Sequence, residues 1–115
     1  MEIPLSIQQI GAYTVVQITT TSLMDPPMLE ELGQRLYQLV DEQDKRKLIL
    51  DFERVQYISS QAIGILLVLH KKLSSMSKSR LILCGVGARL AQLLQITRLD
   101  KVLTIKPSQA EAIKG

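Results

Sequence analysis

Aromatic side chains are scarce in this sequence: Tyr13, Tyr37, Tyr57 and Phe52 are all that its 115 residues hold. Since 46% of the residues are hydrophobic, the core must be aliphatic, built from Leu, Ile, Val and Ala. Stacking platforms for nucleobases need aromatics, so the shortage argues against a nucleic-acid reader. Cysteine is scarcer still. The single Cys84 excludes an internal disulfide and any metal cluster with two or more thiolates. Long apolar runs are missing too. The longest, Ala62 to Leu69, has eight residues, against the roughly 18–20 of a membrane span. The start, MEIPLSIQQIG, lacks the basic and apolar regions of a secretory signal. These absences predict a cytoplasmic protein with no membrane insertion.

Charge of one sign is not concentrated either. The net charge is +3, spread over small groups at Lys45-Arg46-Lys47, at Lys71-Lys72 and at Lys78 with Arg80. A nucleic-acid binder would carry a denser basic stripe; these groups read as solvated helix ends and loops. The length is close to the common size of one domain, and no linker, repeat or low-complexity tract divides residues 1–115.

What is present alternates between two periodicities. Residues 3–10 and 12–19 are β-rich and meet at Gly11, the pattern of a hairpin. Asp25-Pro26-Pro27 reads as a helix start, with Asp25 as N-cap and Pro26 at the first helical position. Met28, Leu29, Leu32, Leu36, Leu39 and Val40 then recur at helical spacing, with Glu30 and Glu31 expected in the favourable first turn. After the charged loop 41–47, Lys47 to Phe52 reads as a strand covered on both faces. Glu53 to Ile58 is expected to be a connection anchored by Val55 and Ile58. The run from Ala62 to Leu73 fits a buried strand or a buried helix; its polar start and its Lys71-Lys72 finish favour the helix. Arg80 to Cys84 is another buried strand, Ala88 to Ile96 a short helix, and Val102 to Ile105 a last strand. Ser108 and Glu111 have the spacing of a capping box for a terminal helix. The order β-β-α-β-α-β-α-β-α implies an α/β fold, a mostly parallel or mixed β-sheet of four to five strands with about four helices.

The chemistry-bearing residues are isolated. His70, the only histidine, has no Cys or Asp nearby in sequence to complete a triad, so a structural or surface role is expected. Cys84 closes an apolar strand, where a free thiol is usually inert. Gly85-Val-Gly87 follows a strand as half a phosphate loop would, but Leu90 occupies the third glycine position and no Lys-Ser/Thr follows. Asp51 has no second acid at a ligand spacing, so a loop hydrogen-bonding role is expected of it rather than a metal or base. No cofactor, metal or catalytic residue is therefore expected. Ser59-Ser60, at the start of the apolar helix, is more informative. One serine is explained as an N-cap. The other sits where a phosphate would meet unpaired N–H groups and the positive dipole end, adding charge without unfolding the helix.

The segment Leu48 to Leu67, LILDFERVQYISSQAIGILL, resembles the signature of STAS domains, the anti-sigma-factor antagonist family. Asp51 matches the strand-end acid, Tyr57-Ile58 the hydrophobic lead-in, and Ile63-Gly64 the Leu-Gly that follows the phosphoserine. Ser60 falls on the phosphorylated serine, with Ser59 as the alternative acceptor, and Asp25 matches an acid before the first helix. The stretch RLILCGVGARLAQLLQITRLDKVLTI is similar to the later strand–loop–helix and closing strand. Two positions depart from the pattern: Ser59 replaces the acid before the phosphoserine, and Gln61-Ala62 replaces Ser/Thr-Gly.

The resemblance implies the STAS fold and a non-enzymatic bacterial partner-switching module in signal transduction and transcription regulation. Its partners would be a serine kinase/anti-sigma factor of the GHKL type and a serine phosphatase, with Asp25, Ser59, Ser60, Gln61 and Ile63 on the partner-binding face. Such a face can also self-associate, which leaves room for a weak homodimer. Two rivals are a STAS subunit of an ABC-type lipid transporter, docking an ATPase constitutively, and a sensor domain for a small ligand. Gly64 is expected to be a close-packing position of the helix.

Overall fold

A computed structural model describes residues 3–114. Strands β1 (Leu5–Ile10) and β2 (Tyr13–Ile18) form the expected antiparallel hairpin, with Ile10 opposite Tyr13. Gly11 has a φ of +59° and Ala12 is not among the left-handed residues, the pattern of a two-residue type II′ turn. From β2 the sheet grows through β4 (Lys47–Asp51), β6 (Arg80–Cys84) and β7 (Thr104–Lys106) in the order β1-β2-β4-β6-β7. Every pairing after the hairpin is parallel, so each strand must be joined to the next by a crossover.

Helices α1 (Pro26–Asp41), α2 (Ser60–Ser74) and α3 (Ala88–Ile96) supply the crossovers, and α4 (Gln109–Lys114) follows β7. Alternation along the strands divides the core. Val16, Leu48, Leu50, Leu81 and Leu83 pack with the apolar stripes of α1, α2 and α3. Val15, Ile49, Ile82 and Cys84 point the other way and are sealed by Ala112 of α4. The expected α/β fold, a mostly parallel or mixed sheet of four to five strands with about four helices, is observed as a mixed five-stranded sheet with four α-helices among the described residues.

Several local expectations change. The connection 53–58 contains a two-residue strand, β5 (Tyr57–Ile58), paired parallel with β3 (Ser22–Leu23), where the residue pattern predicts only polar chain and a loop. Helix α1 begins at Pro26, so Glu30 and Glu31 fall in its second turn and not in the dipole-favoured first. The last strand starts at Thr104, after a 3-10 turn over Leu99–Lys101, and leaves Val102 47% exposed. The capping box is half made: Ser108 Oγ accepts from Glu111 N at 3.3 Å, while the Glu111 carboxylate lies 3.8 Å from Lys114 Nζ.

Gly64 is the clearest correction. A Cβ built there meets no atom within 4 Å, whereas one built on Gly33 would lie 3.2 Å from Ile65 Cδ1. Close approach of α1 and α2 thus depends on the glycine of α1. Gly64 faces an open cleft between the two helices, lined also by Tyr37, Gln61 and Val68.

Candidate functional site

The β3–β5 ladder sets the geometry of the site. Ser22 lies opposite Tyr57 and Leu23 opposite Ile58; Thr21 O accepts from Gln56 N at 2.8 Å and Leu23 O accepts from Ser59 N at 3.0 Å. Because the strands run parallel and each leads into a helix, both helices start side by side at one edge of the molecule. Asp25, extended at φ −82° and ψ 113°, caps α1: its Oδ2 accepts from Met28 N at 3.1 Å. Ser59, extended at φ −94° and ψ 166°, caps α2: its Oγ accepts from Ala62 N at 3.3 Å.

The two serines therefore separate in role. The Ser59 hydroxyl is occupied and the residue is half-buried, while Ser60, the first residue of α2, is exposed and its hydroxyl has no partner among the described residues. Gln61 is also exposed. Ile63 is not brought to the surface with them: it is 9% exposed and belongs to the core. Met24 (51% exposed), Tyr57 (47%), Leu67 and Val68 are surface hydrophobics around the same edge and face, none of them expected from the sequence as a partner contact. For Leu67 and Val68 the continuous apolar run hides the outward stripe. Arg89 stands over the Tyr57 ring at 5.0 Å, joining α3 to this surface by a cation–π contact.

The remaining candidates are structural. Asp51 is 3% exposed; its Oδ1 accepts from Glu53 N at 2.9 Å and its Oδ2 from Gln109 Nε2 at 2.6 Å. This is the expected loop-bonding role, and it also ties α4 to the sheet. Gly85 (φ +65°) lets the chain pass this acid, since a Cβ there would sit 2.8 Å from Asp51 Oδ1 and 2.9 Å from Glu53 N. Burial, with the nearby Asp51 and Glu53 carboxylates, pushes the Cys84 thiol up to about 12, far from the thiolate a nucleophile needs. His70 is half-buried at a cleft with Leu73, Ser79 and Val102. Among the described residues no three His, Cys, Asp or Glu side chains are placed to hold a metal ion. No helix among them is long and apolar enough to cross a membrane.

The sequence matches the STAS domain family over residues 6–112, and the chain belongs to that family. Its fold is shared with an anti-sigma-factor antagonist (STAS) domain protein from Planctomyces limnophilus, at a TM-score of 0.86 and 19% identity over 99% of this chain and 98% of that one. An anti-sigma factor antagonist from Mycobacterium paratuberculosis aligns at a TM-score of 0.85 and 19% identity, over 98% and 92% of the two chains. The Bacillus cell fate determinant SpoIIAA in its phosphorylated form aligns at 0.74 and 18% identity, over 96% of each.

Proposed function

We propose that this chain is a partner-switching protein of the anti-sigma-factor antagonist type, working in the bacterial cytoplasm as substrate and ligand of a GHKL-type serine kinase/anti-sigma factor. The observation that carries the reading is the placement of the exposed, unpartnered Ser60 hydroxyl at the same edge as the Asp25 cap. Unphosphorylated, the face of Asp25, Ser60 and Gln61 docks the kinase, which releases its client. Ser59 contributes by capping the helix that presents Ser60, and Ile63 by anchoring that helix in the core.

The kinase supplies the nucleotide, whose terminal phosphate must approach Ser60 Oγ. Once the phosphoryl group is transferred, a group of about −1.5 to −2 charge stands where the next nucleotide's phosphates would come. Like-charge repulsion then opposes redocking, while the N–H groups at the start of α2 accommodate the phosphate without unfolding. A phosphatase resets the state.

Wild-type and Ser60→Glu baits, used in parallel pull-downs from native lysate with identification by mass spectrometry, test the reading. A GHKL-type kinase held by wild type and lost with Ser60→Glu supports the switch. A transporter ATPase captured equally by both overturns it in favour of a constitutive scaffold.

A further inference from the structure

We propose that the cleft between α1 and α2 is a receptor slot for one large aliphatic side chain on a helix of the docking partner, with Glu30 at its rim pairing with a lysine or arginine of that helix. This rests on the reading of the Ser60 end as the docking face and specifies the partner's chemistry there.

Four observations meet at the cleft. Its volume is about 310 Å³, enough for a whole leucine side chain. Its wall at Gly64 is bare backbone, with nothing within 4 Å of where a Cβ would be, although a glycine inside a helix lowers stability relative to alanine. Its α2 side carries Val68, 39% exposed, with Leu67 at 36% beside it; large apolar side chains left at a surface depression are typical of an interface centre.

The fourth is charge. Glu30 lines the cleft, and neither it nor the neighbouring Asp25 and Glu31 makes an ion pair among the described residues. At the opposite end, Lys72 is committed to Asp41 at 2.8 Å and to the face of Tyr37 at 5.3 Å. The rim nearest Ser60 is therefore acidic on a chain whose net charge is +3, so it is complementary to a cation. Gln61 lines the cleft as well, which makes slot and Ser60 one continuous surface. A helix suits such a groove because it presents an aliphatic side chain and a cation one turn apart on one face.

A phage-displayed library of randomised amphipathic helices, selected on the wild-type chain, tests this without needing the partner in hand. The expected winners share a Leu, Ile or Met with a Lys or Arg three or four positions away. They should lose at least tenfold in affinity for Gly64→Leu, which fills the slot, and for Glu30→Lys, which reverses the rim. Circular dichroism and melting should show Gly64→Leu as folded as wild type; if it does not fold, the surface change Glu30→Lys carries the decision. Winners with acidic flanks, winners that bind Glu30→Lys undiminished, or the absence of any enriched helix would overturn the proposal. Winners that need the slot but ignore Ser60→Glu would leave the slot standing and remove the Ser60 switch instead.

Discussion

The carbonyl of Leu23 accepts the amide of Ser59 at 3.0 Å, a bond between the strand before α1 and the residue that caps α2. Through it the Asp25 and Ser59 caps hold a fixed mutual position, although they lie far apart in sequence. What the surface offers at Ser60 is therefore set by backbone pairing as much as by side chains.

Ser59 and Ser60 should respond oppositely to truncation. Ser59→Ala removes the acceptor for Ala62 N and should cost about 1 kcal/mol, the usual value of a lost N-cap. Ser60→Ala, at an exposed position, should change stability by less than about 0.5 kcal/mol. Urea unfolding of the two variants checks this, and equal midpoints would mean that Ser59 is not the working cap.

For docking the order reverses. Ser60→Ala should hold the partner kinase as wild type does and take up no phosphate. Ser60→Glu should bind at least tenfold more weakly, about 1.4 kcal/mol, with an unchanged melting temperature. Calorimetric titration against the captured kinase and phosphate incorporation measure both; incorporation persisting in Ser60→Ala would move the acceptor to Ser59.

The two helical glycines make a matched pair. Gly33→Leu drives a side chain into Ile65, whose Cδ1 lies only 3.2 Å from the place a Cβ would take, and should destabilise by about 1–3 kcal/mol through overpacking. Gly64→Ala meets open space and should stabilise by about 0.5–1 kcal/mol, the helix-propensity difference. Equal effects in urea titrations would contradict this packing of α1 on α2.

Cys84 makes stability depend on pH. The folded thiol stays protonated until about 12, against an ordinary value of 9.0, so between those values the unfolded chain gives up a proton that the folded chain keeps. Raising the pH through this window favours the unfolded state. Stability should fall more steeply from pH 9 upward in wild type than in Cys84→Ala, and Cys84 should resist thiol reagents until the chain unfolds. Parallel slopes would show that the thiol is not held protonated.

The sheet, its helices and their order are legible in the sequence because each element has a strong signal: short apolar runs bounded by polar turns in β4 and β6, and a period of 3.6 in α1. The β3–β5 ladder is not, since two-residue strands carry no periodicity and exist only through tertiary pairing. Ser60 stands out by resemblance, and the rule that serine starts helices yields one of the two serines as cap; only the Ser59 Oγ–Ala62 N bond shows which. Ile63 and Gly64 are misplaced by the sequence for a shared reason. The apolar run from Ala62 to Leu69 conceals which stripe of α2 faces inward, and only the tertiary packing shows that Ile63 is core and Gly64 is open. Glu30 and Glu31 miss the first turn because α1 counts from Pro26, so that turn closes at Leu29, before either acid is reached.

The parallel sheet has a consequence in time. Among the described residues only the β1–β2 hairpin joins strands adjacent in sequence; Thr14 must find Leu48, Leu48 must find Leu81, and Ile82 must find Thr104. Pairings between segments so distant in sequence slow folding, because loop-closure entropy is lost before the contacts form. The Ser22–Tyr57 ladder is another of these distant pairings. A chain that has not yet formed these pairings thus carries every residue of the proposed docking face without presenting it, and a partner that requires Asp25 beside Ser60 would bind finished molecules alone.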